Sequence, residues 1–375
     1  MVPKPRLKNV VSTLALVAIY FFCAFKIQAQ YFKVDTIQFE SADHPIDGFS
    51  EDGNYFPEII SEKHWKVASY INEYLHMDFL HIMPHTKGNP FEAISPADGE
   101  MNGTTGIGFT MENNSSRIFS VSVSADYTSA YTENFTLFYN FNAQTGEYIT
   151  LYDLFSKESM VRIQQTLVAQ RVAEIKDFIS SLDTNDETGY EQYQLYTACI
   201  PYMKESALEY ESFFLTDTTI TFVHGRCSNH AMRAIDDLDA YYNTFSFSSL
   251  KNEFSAFANE LIYGKPSKAK SKPAYPAMKL MKGKIDKDLY VTFIMGRMFT
   301  DSPDVSGMYF YDKEGNMIEL SATIDKQQWA VIEYSGPNIK NAGMKGEYKD
   351  GVFKGRWQHD TDGRNLPVLL KLAHQ

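Results

Sequence analysis

Alternating apolar and polar residues predict a strand within Asn134–Ser156, the stretch around which the first part of the chain is organised. Across Phe135–Phe141 apolar side chains recur at every second position, which places them on one face of an extended strand. Asn142–Gly146 is typical of a turn, because glycine adopts positive φ without a steric penalty. Tyr148–Leu151 predicts a return strand, and Ser156 is placed to cap a helix.

Helical spacing of apolar residues predicts four helices in the same region, of which the last is Ser249–Tyr263 at the end of the domain. The first is Pro57–His76, with the proline in its first turn. The second follows Ser156 and reaches about Leu182, and the third covers Glu191–Tyr210 with a break near Pro201. Further strands are predicted at Tyr31–Phe39, Thr105–Met111, Arg117–Ala125 and Thr219–Val223. The pattern therefore predicts an α+β domain over residues 30–263, with an antiparallel sheet packed against helices.

The composition changes sharply at residues 264–277, which carry four lysines among prolines and serines. Such a segment buries little apolar surface, so it is predicted to be an exposed linker. Residues 278–375 then contain short strands separated by Glu314-Gly315, Asp350-Gly351 and Asp362-Gly363, which are typical hairpin turns. This second domain is predicted to be all-β, an up-and-down meander that closes into a small barrel.

Within the second domain, aromatic residues follow glycines at a spacing of two. The pattern occurs at Gly307-x-Tyr309-x-Tyr311, Gly346-x-Tyr348 and Gly355-x-Trp357. Residues two apart lie on the same face of a strand. Tyr309, Tyr311, Tyr348 and Trp357 therefore either line a cup for a glycan or another small ligand, or pack as barrel core.

The first 29 residues have the features of a signal peptide. A basic start is followed by the apolar run Val10–Phe25 and by Ala29 at a suitable cleavage position. The run is short for a membrane span of about 20 residues, which favours cleavage over retention as an anchor. The mature protein is expected to be periplasmic or secreted, with membrane contact only through an uncleaved signal segment. The net charge of the full chain, −12, argues against a nucleic-acid partner.

Two cysteines remain after signal removal, Cys199 and Cys227. In an oxidising compartment an even pair predicts one disulfide. The alternative is a metal site, because His224 and His230 flank Cys227 at short spacing. The disulfide is the favoured interpretation, and no metal or other cofactor is assigned.

Several motifs resemble one known family. Phe141-Asn142, Thr145-Gly146, Leu151 and Asp153-Leu154-Phe155 are similar to the F-D-x-x-T-G-x-x-x-x-L-x-D-L-F core of RsiV-like extracellular domains. Phe213–Phe222 and, more weakly, Ile71-Asn72 are similar to two other motifs of that family.

The resemblance covers about residues 31–263 and implies the family's fold and, more loosely, its habit of binding components of the cell envelope. The family includes lysozyme-sensing anti-sigma-factor ectodomains and companion domains of some polysaccharide deacetylases. Its Gly-Gly-Ala-His segment is absent here, where the chain has Tyr127–Thr132. Any role tied to that segment is therefore not carried over.

No motif of a known catalytic class occurs in the chain, including Gly-x-Ser-x-Gly, His-Glu-x-x-His and phosphate-binding loops. Paired carboxylates leave no sequence signature, and none of Glu147, Asp153, Asp236 and Glu333 is assigned a catalytic role. The favoured hypothesis is a non-enzymatic envelope binding module for a glycan or a secreted protein. The alternative is an envelope hydrolase or deacetylase that uses acidic residues or the loop around Cys227.

Overall fold

The computed structural model describes residues 30–39, 54–97, 102–264, 275–297, 304–335 and 339–374. The predicted signal peptide and residues 265–274 of the predicted linker lie outside the described residues. The domain boundaries at residues 263/264 and 277/278 therefore stay predictions.

The described residues of the N-terminal region form three antiparallel sheets. The first pairs β1 (Lys33–Gln38) with β2 (Tyr55–Ile60). The second has the order β3 (Gly103–Asn114), β4 (Ile118–Thr128), β5 (Thr132–Asn142), and the third has the order β6 (Ser212–Leu215), β7 (Thr219–His224), β8 (Tyr241–Ser246).

Five α-helices accompany these sheets among the described residues. They are α1 (Trp65–Leu75), α2 (Leu151–Leu154), α3 (Lys157–Ser181), α4 (Glu187–Glu205) and α5 (Ala256–Tyr263). A π-helical turn, His76–Leu80, continues α1. Ser156 caps α3 by accepting a hydrogen bond from the Ser159 backbone N–H, as predicted. The predicted α+β architecture of this region is confirmed.

The predicted helix start at Pro57 is wrong. Pro57 lies in β2 opposite Thr36, and α1 begins only at Trp65. The side-chain amide of Asn72 on α1 hydrogen-bonds both the N–H and the C=O of Ile59, each at 2.9 Å. The helix thus satisfies backbone groups of β2 that have no strand partner.

Pro201 does not break α4, which continues through it to Glu205. The predicted return strand Tyr148–Leu151 is also wrong, because only Tyr148 bridges back to Phe141. Thr150 instead caps α2, with the Thr150 and Asp153 side chains each bonding the other's backbone N–H. The spacing of Thr150 and Asp153 therefore encodes a capping box rather than a strand.

The C-terminal region is a closed eight-stranded antiparallel barrel, which confirms the prediction. Each strand pairs with the next along the chain, and the last strand pairs with the first. The strands are β9 (Leu280–Ile285), β10 (Leu289–Met295), β11 (Asp304–Tyr311), β12 (Met317–Asp325), β13 (Gln328–Tyr334), β14 (Lys340–Lys349), β15 (Val352–His359) and β16 (Asn365–Leu372).

The outer face of β9–β11 packs against the N-terminal region. Leu280, Ile294 and Phe310 belong to the same buried apolar cluster as the residues of α1. Beside this contact, the buried Lys279 ammonium lies 2.7 Å from Asp153 and 3.1 Å from Glu147. Burial favours the neutral amine, but the two carboxylates hold the pKa of Lys279 above its usual range.

Candidate functional site

A pocket of about 180 Å³ opens at one end of the barrel. It lies where β9, β11, β13 and β15 end and where the strands that follow them begin. Its lining consists of Ile285, Leu289, Tyr309, Tyr311, Ile318, Glu333, Asn341, Trp357, His359, Arg364 and Leu366. Barrel mouths are frequent ligand sites because the loops and strand ends surround a concave space.

The glycines of the aromatic pattern let the strands approach closely beneath this pocket. Gly346 and Gly355 lie directly opposite each other on β14 and β15. A side chain at Gly346 would collide with the backbone of Lys354 and Gly355. The space beside these glycines is filled by rings, and Phe353 lies next to Gly355. The pattern thus arises from packing inside the barrel.

Glu333 forms the base of the pocket. Glu333 is 2% exposed. Its Oε1 accepts a 2.6 Å hydrogen bond from the Trp357 indole N–H. Burial raises the pKa of Glu333 to about 7, although hydrogen bonds with Tyr309 and Trp357 oppose the shift. Glu333 therefore changes charge near neutral pH.

Two tyrosines on β11 form one wall. The Tyr309 ring is fully buried and stacks on Phe293 with the ring centres 4.5 Å apart. Its hydroxyl group lies 3.3 Å from that of Tyr311, which is half-buried. Burial raises the pKa of Tyr309 well above its usual range, so this hydroxyl stays protonated.

The rim of the pocket combines charge with exposed apolar side chains. The Arg364 guanidinium lies 5.5 Å from the Trp357 ring centre, and its Nε donates a 2.6 Å hydrogen bond to Asp362. Leu289 and Ile339 are 43% and 60% exposed. Leu289 lines the pocket, and Ile339 immediately precedes β14 at the same end.

The structure brings three of the four predicted ligand-binding residues together. Tyr309, Tyr311 and Trp357 line the pocket, whereas Tyr348 is buried at the opposite end. There Tyr348 stacks on Trp329 with the ring centres 4.9 Å apart, as barrel core. Their binding role stays a prediction.

Sequence reasoning did not single out Glu333 for the site. A signal was present, because Glu333 is in phase with Trp329 and Val331, which face the barrel interior. An acid at an inward position of a barrel strand is a buried carboxylate, and buried carboxylates are rare without a special environment.

The other acidic residues considered have structural roles. Glu147 and Asp153 hold Lys279. Asp236 accepts hydrogen bonds from the Tyr196 hydroxyl at 2.7 Å and from the Ser228 N–H at 2.8 Å. Among the described residues that line the pocket, Glu333 is the one carboxylate.

The predicted disulfide between Cys199 and Cys227 is confirmed, with an S–S distance of 2.01 Å. Its sulfur atoms are therefore not available as thiolate ligands. His224 lies 2.9 Å from Glu211, which is completely buried beside Arg171, whereas His230 stacks on Tyr131. The two weak metal candidates thus have different partners, and the described residues contain no group of three or more His, Cys, Asp or Glu side chains arranged to hold a metal.

Within the described part of the chain, every helix is too short or too polar to cross a membrane.

No protein-family model and no curated protein matches the chain. Among solved structures it is similar to a member of the DUF3298 family from Bacteroides fragilis, at 12% sequence identity and a TM-score of 0.42. The alignment covers 63% of this chain and 98% of that chain. DUF3298 is the domain that RsiV-like proteins contain. The likeness assigns no function, and membership of the RsiV-like family stays a prediction.

Proposed function

We propose that this chain is an exported, non-enzymatic binding protein of the cell envelope, whose barrel mouth holds a ring-sized ligand. A sugar unit of an envelope glycan is the first candidate. The observation that carries the proposal is the aromatic-walled pocket with Glu333 at its base. Pockets that combine apolar walls with a few convergent polar groups are typical ligand sites.

The size of the pocket limits the ligand. A volume of about 180 Å³ is well below the roughly 300–1,000 Å³ of sites for drug-sized molecules. It is slightly larger than the ~150 Å³ cavity that holds benzene. One six-membered ring fits this space, so a glycan would enter by a single unit or by its end.

The lining suits a polar ring. Tyr311 and Trp357 offer aromatic surface, while Glu333, Asn341 and Arg364 offer hydrogen-bond acceptors and donors at different heights. A sugar has apolar faces and polar edges, which matches this division.

Export is supported by two independent features. The N-terminal segment has the composition of a signal peptide, and Cys199 and Cys227 form a disulfide. Disulfides persist in the periplasm and outside the cell but are rare in the reducing cytosol.

Binding is favoured over glycoside hydrolysis by the number of acids at the site. Hydrolysis of a glycosidic bond generally needs two carboxylates on opposite sides of the bond. Glu333 is the one carboxylate among the described lining residues. A single buried carboxylate beside aromatic side chains is sufficient to bind a ligand, whereas hydrolysis would need a second carboxylate.

The test is calorimetric titration of the mature protein with glucose, N-acetylglucosamine and soluble peptidoglycan fragments. Replacing Tyr311 with Ala should weaken binding about tenfold, because the ring supplies one wall of the pocket. Tyr290→Ala is the matched control, since Tyr290 is exposed and does not line the pocket. Equal weakening in both variants, or no binding by any ring-sized ligand, would contradict the proposal.

A further inference from the structure

Within the part of the chain that the structure describes, the carboxylate at the base of the barrel mouth has no cationic partner. Glu333 is held by Trp357 and Tyr309, which are neutral donors. Among the described residues, no lysine, arginine or histidine lies within ion-pair distance of it. An ionised carboxylate that is buried without a cation is strongly disfavoured, and stable proteins rarely keep one without a reason.

The cations nearest the mouth are already engaged. Arg364 bonds Asp362, and Lys340 lies 3.5 Å from Asp360. His359 also faces Asp362, at 3.4 Å. When Glu333 is ionised, its charge is therefore left without a cation of its own among the described residues. The site therefore attracts a positively charged ligand.

The aromatic lining of the pocket also favours a positively charged ligand. Tyr309, Tyr311 and Trp357 surround the space above Glu333. Aromatic faces attract cations, and the Arg364 guanidinium already lies 5.5 Å from the centre of the Trp357 ring. A buried carboxylate among three aromatic rings is a chemical environment that recognises ammonium groups.

We propose that the ligand of the barrel mouth carries an organic ammonium group that pairs with Glu333, on a ring-sized body held by the aliphatic side chains of the opening. This inference rests on the proposed function, since it names the ligand class for the same pocket. Leu289, Ile318 and Leu366 provide the apolar contacts for the body. No covalent step is involved.

Protonation of Glu333 links ligand affinity to pH. Burial raises the pKa of Glu333 to about 7. An ammonium group pairs only with the ionised carboxylate, so Glu333 must lose its proton before or during binding. The affinity for an amine should therefore fall about tenfold between pH 8 and pH 6. Binding at pH 7 should release about 0.5 proton, whereas a neutral ligand releases none.

The experiment uses matched ligand pairs with the mature full-length protein. Cyclohexylamine is compared with cyclohexanol, and piperidine with tetrahydropyran, by titration calorimetry at pH 8, where both amines are fully protonated. Each amine should bind at least about tenfold more tightly than its neutral partner, because the buried ion pair adds to equal apolar contact. Proton release is measured by repeating the titration at pH 7 in buffers of different ionisation enthalpy.

Glu333→Gln should abolish the preference for amines while it keeps the shape of the pocket. Glu347→Gln is the matched control, because Glu347 is exposed on β14 and does not line the pocket. Folding of both variants is checked by circular dichroism. If Glu333→Gln does not fold, proton release by the unmodified protein still decides the question.

The outcomes separate this inference from the proposed function. If the neutral rings bind as tightly as the amines, or the preference survives in Glu333→Gln, the ammonium inference is wrong and a binding pocket remains. If neither member of any pair binds at millimolar concentration, both proposals fail. Amine binding without proton release at pH 7 also overturns the pairing with Glu333.

Discussion

Replacing Glu333 with Gln should change the pH dependence of stability in a predictable direction. Gln keeps an oxygen that accepts from the Trp357 indole N–H, but it cannot ionise. In the unfolded chain Glu333 loses its proton near pH 4.5, whereas in the folded protein it keeps the proton until about pH 7. Between these values the unfolded chain binds fewer protons, so the free energy of unfolding decreases as pH rises.

The magnitude follows from the difference between the two pKa values. Between pH 5 and pH 8, the ionisation of Glu333 should lower the free energy of unfolding by about 2.5 kcal/mol. The Gln variant lacks this loss. Its stability relative to the unmodified protein should therefore improve by about 2.5 kcal/mol over the same range.

Urea unfolding followed by tryptophan fluorescence measures this difference. Trp329 and Trp357 are buried in the barrel, so their emission reports on the region that contains Glu333, whereas Trp65 is largely exposed. The measurement is made at pH 5, 6, 7 and 8, with Glu347→Gln as the control. If the free energies of unfolding of Glu333→Gln and the unmodified protein stay parallel across this range, Glu333 does not titrate as the structure implies.

Three further outcomes are expected. Replacing Cys199 and Cys227 with Ser should lower the free energy of unfolding by about 3–4 kcal/mol in chemical denaturation, and an unchanged midpoint would contradict this. Lys279→Met should destabilise by about 3–5 kcal/mol, because Asp153 and Glu147 lose their buried cation; full stability in urea would count against that role. Tyr348→Phe should change stability by less than about 0.5 kcal/mol, because its buried hydroxyl has no hydrogen-bond partner among the described residues, and a larger loss would reveal one.

Local turn chemistry made the barrel predictable. Asp350-Gly351 and Asp362-Gly363 mark tight turns, and in the structure both glycines have positive φ. The strands predicted for this region nevertheless began only at Leu289, so the first strand, β9, was missed. Its inward positions include Gly283 between Met281 and Ile285, and a glycine hides the alternation that identifies a strand.

Tertiary contacts explain the errors in the N-terminal region. Pro57 is compatible with a helix start by its own preference, but β2 is held by pairing with β1 and by Asn72 from α1. That amide lies 13 residues away from Ile59, so a local pattern does not contain the information. Likewise, the motif around Thr150 forms a cap because Asp153 reaches back to it.

The pocket was half predictable. Glycine spacing placed Tyr309, Tyr311, Tyr348 and Trp357 on inward faces correctly, since side chains alternate across a strand. The distance along the barrel axis decides which of them reach the mouth, and this depends on strand register and on which strand ends meet. Strand register and the meeting of strand ends depend on pairings between segments that are distant in sequence. The sequence pattern therefore grouped Tyr348, which lies at the end of the barrel away from the pocket, with residues that line the pocket.

The position at which the barrel closes, between β9 and β16, has a consequence for how the protein unfolds. β9 and β16 close the cylinder, and the residues just outside them are both anchored in the N-terminal region: Lys279 on Asp153, and His374 against the ring of Tyr70. Separation of the two regions would therefore remove contacts that support β9 and β16, the two strands that close the barrel. The two regions should therefore unfold in one cooperative transition. In a fragment that consists of the barrel alone, the pairing between β9 and β16 should be weakened.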